Sequence, residues 1–171
     1  MGTSSGSADR LTAFGTELIE IHQWLREELA QLRDDVGGYL DGRRDRPREL
    51  KAHCLSFCAA LTKHHTGEDA GAFPLLARDY PNLRPIIVKL LEDHQLVRSI
   101  LDNVEKLVAG MSEKPDEAEA KRVRGELDGL TAILESHFTF EEGRIVTALN
   151  ELTRDAGTDE SLFGISVPSD D

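Results

Sequence analysis

The sequence predicts an all-α protein, an antiparallel up-down-up-down four-helix bundle. Four segments repeat apolar residues at steps of three and four, which is the period of a helix with one buried face. Aromatic residues make up only 5% of the chain, a composition that favours helices over strands. The connections between the four segments are of moderate length, which favours packing of consecutive helices side by side.

The chain of 171 residues is long enough for one domain with a sizeable core. Residues 1–8 are rich in Ser and Gly and are predicted to be disordered. Residues 9–153 are predicted to form the bundle. Residues 154–171 are predicted to be a mostly disordered tail, in which Leu162 and Phe163 are apolar enough to dock a few residues onto the bundle.

The first predicted helix ends at the Gly37-Gly38 pair, because glycine readily adopts the left-handed conformation of a helix C-cap. Residues 39–48, which include Tyr39, then form a polar connection. The apolar stripe of this helix consists of Leu11, Phe14, Leu18, His22, Leu25, Leu29, Leu32 and Val36.

The second predicted helix starts at Pro47, which suits a first helical turn. Gly71 and Pro74 interrupt the helix near its end, and residues 78–82, with the sequence RDYPN, are predicted to be a turn. The stripe of the second helix consists of Leu50, Cys54, Phe57, Leu61, His64 and Glu68.

Asn82 is a candidate N-cap of the third predicted helix, and Gly110 ends that helix. The fourth helix begins in the acidic segment 115–119, since negative side chains stabilise a helix N-terminus. The third stripe consists of Leu83, Ile87, Leu90, His94, Val97, Leu101, Val104 and Val108. The fourth stripe consists of Val123, Leu127, Leu130, Leu134, His137, Glu141, Ile145, Ala148 and Leu152.

Charge and cysteine content exclude several classes of protein. The formal net charge is -12, and a surface this acidic repels nucleic acids and anionic membranes. Cys54 and Cys58 lie one turn apart on one helix, a position poorly suited to a disulfide, and no CxxC motif for zinc occurs. No secretory signal or membrane span is visible, so we expect a cytoplasmic protein.

Polar residues interrupt all four apolar stripes. Each stripe contains a histidine, and in the second and fourth stripes a glutamate follows four residues later on the same helical face. From His22 to the end of its helix is about 21 Å, and from the start of the second helix to His64 is about 25 Å, so these histidines lie at similar depth. A buried carboxylate is unfavourable unless a partner neutralises it, so the cluster predicts a metal site. The candidate ligands are His22, His64, Glu68, His94, His137 and Glu141.

The donor types favour iron. A structural zinc site needs only four ligands and often includes cysteine, whereas calcium and magnesium prefer oxygen ligands alone. Haem would leave the two carboxylates without a role. Imidazole and carboxylate donors in a bundle core suit two iron ions, with manganese or zinc ranked lower. If Glu68 and Glu141 bridge the ions with an oxo or hydroxo group, and two histidines bind each ion, each iron keeps one open position.

The order H…HxxxE…H…HxxxE, carried by the six candidate ligands, resembles the hemerythrin-like family, the HHE cation-binding domain. Phe73-Pro74 matches the FP pair that follows the second-helix glutamate in that family. The resemblance covers roughly Leu11 to Leu152. It implies a four-helix bundle around a non-haem di-iron centre that handles oxygen, peroxide or nitric oxide, or that senses iron or oxygen.

The sequence departs from the oxygen-carrying members of this family at two places. Those carriers place two histidines one turn apart on the third helix, whereas Leu90 and Arg98 lie one turn either side of His94. Their motif also ends with a histidine that a carboxylate follows five residues later. Counted from His137, that spacing would select Glu142. Glu141 is in phase with the apolar stripe, so we prefer it as the ligand. The missing fifth histidine argues against reversible oxygen carriage.

His65 and Asp69 form a second pair at the same spacing, one position further round the second helix. Because they flank the apolar stripe, we interpret them as supporting or surface groups, although His65 is able to fill an open iron position. His53 lies about 16 Å along the helix from His64, which is too far for it to join the ligands.

We therefore expect a hemerythrin-like non-haem di-iron protein with redox chemistry toward hydrogen peroxide or nitric oxide, such as a catalase- or peroxidase-like activity. The alternative is a non-catalytic iron or oxygen sensor, or an oxygen-binding protein, whose fold responds to metal occupancy. The expected partners are small oxygen or nitrogen species (peroxide, O2 and NO), and neither nucleic acid nor a membrane is expected. No catalytic residue apart from the metal ligands is predicted.

Overall fold

The computed structural model describes residues 13–42 and 47–168, which form helices and connecting segments without a strand. The expectation of an all-α protein is confirmed. The expected disorder of residues 1–8 falls outside the described residues and stays a prediction. The helices are α1 (Phe14–Leu40), α2 (Pro47–Ala70), α3 (Ala72–Asp79), α4 (Arg84–Ala109), α5 (Glu117–Glu151) and α6 (Asp159–Phe163), and 3-10 turns cover Pro81–Leu83 and Arg154–Ala156.

Helix α1 continues through the glycine pair at which the sequence predicts its end. It runs to Leu40, and Gly42, with a φ of 75°, then adopts the left-handed conformation. The Tyr39 side chain is buried in the core, and its hydroxyl donates a hydrogen bond to the Ser112 carbonyl oxygen. This packing outweighs the roughly 1 kcal/mol by which each glycine disfavours a helix interior. The expectation that Tyr39 lies in the connection is therefore wrong.

A break at Gly71 separates α2 from the short helix α3. Pro74 lies in the first turn of α3, where a missing N–H removes no intrahelical hydrogen bond. The 3-10 turn leads directly into α4, which ends before Gly110 as predicted. Asn82 lies inside that turn, so the expectation that it caps the helix is wrong, because the chain already turns helically before α4 begins.

The four long helices pack around one apolar core. Helix α5, with 35 residues, begins in the predicted acidic segment, where Asp116 accepts a hydrogen bond from the Glu119 N–H at 2.8 Å. Helices α2 and α5 each contact both α1 and α4, so every long helix packs against two others. Within the described ranges, no helix is both long enough and apolar enough to span a membrane.

The C-terminal segment is more structured than the sequence predicts. Residues 154–168 include a 3-10 turn and α6, so the expectation of a mostly disordered tail is wrong for them. Leu162 and Phe163 are buried, and α6 docks on α2. The docking requires glycine, since a Cβ atom at Gly67 would lie 2.2 Å from the backbone nitrogen of Gly164.

Candidate metal centre

The structure brings all six candidate ligands together in the interior, and none is more than 4% exposed. The four apolar stripes face one another, so the polar positions within them meet at one depth. Helix α1 contributes His22, α2 contributes His64 and Glu68, α4 contributes His94, and α5 contributes His137 and Glu141.

The carboxylate of Glu68 lies between histidines of two helices. Its Oε1 atom is 3.2 Å from His64 Nε2 and 3.5 Å from His94 Nε2. Burial raises the pKa of Glu68 well above its usual value, and the negative charge of Glu141 raises it further. The protein alone therefore favours a protonated carboxyl here, and a nearby cation would favour the ionised form.

Glu141 lies in the same way between the other two helices. Its Oε2 atom is 3.2 Å from His137 Nε2 and 3.6 Å from His22 Nε2. The neighbouring Glu142 lies at the edge of the cluster: its side chain is 19% exposed, forms an ion pair with Arg26 at 3.0 Å and has an oxygen 3.7 Å from His22 Nδ1. The position in phase with the apolar stripe is thus the one that enters the cluster.

His64 is oriented by the backbone of α6. Its Nδ1–H donates a hydrogen bond to the Phe163 carbonyl oxygen at 2.8 Å, which leaves Nε2 with its lone pair beside Glu68. Burial, together with the nearby His22, lowers the pKa of His64 to about 3. The imidazole is therefore neutral near pH 7, which is the form that binds metals.

Carboxylates orient two further histidines. The Nδ1 atom of His94 lies 2.6 Å from Asp69 Oδ1, and that of His137 lies 3.2 Å from Asp93 Oδ2. Such contacts fix the orientation of an imidazole and make it a better metal ligand. Asp69 thus has the supporting position that the sequence suggests. The sequence does not lead us to expect the contact of Asp93 with His137. The available signal is that Asp93 is adjacent to the candidate ligand His94, just as Asp69 is adjacent to Glu68.

His65 is not a surface group, and that part of our interpretation is wrong. Its side chain is only 3% exposed, and its ring stacks on His94 with 3.8 Å between centroids. The residue after His64 is turned by about 100° around α2, and α4 packs on that side, so this direction also faces the interior. His53 lies outside the cluster, as predicted, and contacts acidic residues of α1 instead.

The donor set fits metal ions. Buried polar atoms normally have hydrogen-bond partners, yet ten side-chain nitrogen and oxygen atoms of the six candidates and His65 have none within the described part of the chain. Imidazoles and carboxylates together are ligands that iron accepts. Three groups have ligand atoms within 4.8 Å of one another: His22, His64 and Glu68; Glu68, His94 and Glu141; and His65, His94 and His137.

Comparison with protein families gives an independent indication of what this cluster is. The family model described as the hemerythrin HHE cation binding domain matches residues 15–149, which is 135 of the 171 residues. This range contains all six candidate ligands and His65 but ends before α6. Comparisons with curated proteins and with solved structures found no match. The chain therefore belongs to the hemerythrin HHE cation-binding family, whose helical domain holds metal ions.

Proposed function

We propose that this chain is a hemerythrin-like non-haem di-iron protein with redox chemistry toward hydrogen peroxide or nitric oxide. The observation that carries the proposal is the pair of buried glutamates, Glu68 and Glu141. Each lies between two histidine Nε2 atoms, and neither has a hydrogen-bond partner among the described residues. Two cations would neutralise both carboxylates and accept the nitrogen lone pairs.

The proposal includes an antiparallel up-down-up-down arrangement of the four long helices, with the ligands near their middle. Glu68 and Glu141 are the carboxylates that two irons would share, and two histidines would hold each iron. When bound, the irons would supply redox chemistry by cycling between ferric and ferrous states. The proposed ligands are His22, His64, Glu68, His94, His137 and Glu141.

Aromatic side chains protect the site. The Phe138 ring stacks on His22 with 4.0 Å between centroids, and the Phe73 ring packs on His94 with 5.3 Å between centroids. These apolar faces fix the planes of the imidazoles and keep water away from them. Residues of the apolar core therefore support a centre that reacts with small molecules and excludes bulk solvent.

A small cavity lies next to Phe138, whose ring stacks on His22. A cavity of about 130 Å³ lies between α1 and α5, and Phe138 and Arg26 line it. Sites for organic ligands usually have at least about 300 Å³, whereas a water molecule occupies about 30 Å³. The cavity is thus large enough for hydrogen peroxide or nitric oxide and too small for a typical metabolite, and its lining includes none of the six proposed ligands.

The test is oxygen evolution from added hydrogen peroxide, in which two H2O2 give two H2O and one O2. We expect iron-loaded wild-type protein to evolve oxygen and His94→Ala to be at least about 10-fold slower, because an iron ligand is lost. The matched control is His53→Ala, which removes a histidine of α2 outside the cluster. Equal rates for wild type and His94→Ala would contradict the peroxide activity, and a parallel assay of anaerobic NO consumption tests the other substrate.

A non-catalytic iron or oxygen sensor is the second candidate. It is favoured by the hydrogen bond between His64 and Phe163, which links a proposed ligand directly to the C-terminal segment. A metal that orders His64 would therefore also stabilise α6. Metal-dependent protease resistance of this segment, in samples that turn over neither peroxide nor NO, would favour the sensor over the enzyme.

A further inference from the structure

His65 lies inside the ligand cluster without an assigned role. It is on α2, directly after His64, and its side chain is 3% exposed. Its ligand atom lies within 4.8 Å of those of His94 on α4 and His137 on α5. His65 is therefore the seventh buried donor residue of a cluster for which the sequence predicts six.

The contacts of His65 differ from those of a histidine that only fills space. A buried imidazole nitrogen is normally satisfied by a hydrogen bond, yet Nε2 of His65 has no partner among the residues that the structure describes. His64, His94 and His137 also leave Nε2 unpartnered while Nδ1 contacts a supporting oxygen. His65 thus presents the same nitrogen in the same unsatisfied state as the proposed ligands around it.

The orientation of the ring supports a shared ion. The planes of His65 and His94 are nearly parallel, at 8° and 3.8 Å between centroids, and the His137 ring stands edge-on at 5.3 Å.

We propose that His65 is a fifth imidazole ligand of the metal centre and binds the same ion as His94 and His137. The inference rests on the proposed di-iron function. It departs from the pattern of the oxygen carriers, because the fifth histidine would come from α2, whereas Leu90 and Arg98 occupy the positions one turn from His94. The two ions would then be unlike, with three imidazoles at one and the two imidazoles of His22 and His64 at the other.

The test compares His65→Ala and His65→Gln with wild type and with His53→Ala, the control on the same helix. Each apo-protein is titrated anaerobically with ferrous iron, and the iron environments are read by Mössbauer spectroscopy. We expect two distinct iron signals in wild type and His53→Ala. In both His65 variants we expect one signal to change and the affinity for one iron to fall at least about 10-fold. Circular dichroism of the apo-proteins verifies that the variants keep their helix content, and His65→Gln retains a polar side chain in case His65→Ala does not fold.

The outcomes separate the two proposals. Wild-type protein that binds two irons, together with His65 variants of unchanged affinity and spectrum, would overturn the role of His65 and leave the di-iron function intact. Wild-type and His53→Ala proteins that bind no iron would overturn the di-iron function and this inference with it.

Discussion

At the level of single residues, the acidic neighbour of a ligand on one helix supports a histidine of the next helix. Asp69 follows Glu68 on α2, Asp93 precedes His94 on α4, and Glu142 follows Glu141 on α5. Each of these neighbours reaches across an interface between helices. Asp69 and Asp93 lie within hydrogen-bonding distance of the histidine that they face and orient it, whereas Glu142 is only within ion-pair distance of His22. The contacts join Asp69 to His94 at 2.6 Å, Asp93 to His137 at 3.2 Å and Glu142 to His22 at 3.7 Å.

The shortest of these contacts gives a test at this scale. Asp69→Asn keeps the shape of the side chain but removes the charge that holds His94 Nδ1. We expect iron affinity to fall by about 10- to 100-fold with the helix content unchanged, because a supporting carboxylate orients the ligand and increases its basicity. Competition with a chelator of known affinity measures the change.

The matched control is Asp102→Asn, which neutralises an exposed carboxylate of α4 and should leave iron affinity as it is. An Asp69→Asn variant with the affinity of this control would show that the contact with His94 has no part in metal binding.

The sequence predicts the inward positions of the six ligands because each lies in phase with an apolar stripe, and helical periodicity determines which residues face inward. It does not predict that the His65 side chain is buried or that Asp93 contacts His137. A residue beside the stripe faces the interior or solvent depending on where the next helix packs, and one helix alone does not contain that information. In such places the tertiary arrangement decides the environment of the side chain.

At the level of elements, α6 lies beyond the residues that match the family model and still contacts the cluster. Its attachment depends on close approach of two backbones. A Cβ atom at Gly67 would lie 2.2 Å from the Gly164 nitrogen, and one at Gly164, where φ is 76°, would lie 2.0 Å from the Lys63 carbonyl oxygen. Glycine at these positions therefore allows the Phe163 carbonyl to reach His64.

A pair of glycine substitutions tests this attachment. Gly67→Ala should lower the free energy of unfolding by about 1–3 kcal/mol, because the added methyl group collides with the backbone of α6, which cannot yield as a side chain can. Urea denaturation measures the effect, and limited proteolysis should show faster cleavage in residues 158–168.

Gly129→Ala is the control, because a Cβ atom there meets no atom within 4 Å in the described part of the chain. Alanine at this exposed α5 position should raise the free energy of unfolding by about 0.5–1 kcal/mol, since alanine favours a helix more than glycine does. If Gly67→Ala also stabilises the protein, α6 does not pack as described.

Helix positions follow from the sequence better than helix ends do. The four stripes predict α1, α2, α4 and α5, whereas the glycine pair is a misleading end signal for α1, because buried Tyr39 keeps the chain helical. Helix α6 is missed because five residues carry too weak a periodic pattern. Its two buried side chains, Leu162 and Phe163, are the signal that the sequence does offer.

At the level of the whole molecule, folding and metal binding are expected to be linked. Seven buried histidine and glutamate residues lie where a bundle would otherwise place apolar side chains. Without cations, burial and the negative charge of Glu141 both disfavour the ionised form of Glu68. A ligand that binds only the folded state stabilises that state, so metal ions should raise the stability of the entire bundle.

The most direct measurement is the unfolding temperature of anaerobic apo-protein as ferrous iron is added stepwise, with magnesium as the control ion. We predict a rise of about 5–10 °C that stops at two irons per chain, and no rise with magnesium, which prefers oxygen ligands. An unfolding temperature that does not change with iron, or that stops rising at one iron per chain, would contradict the two-cation centre.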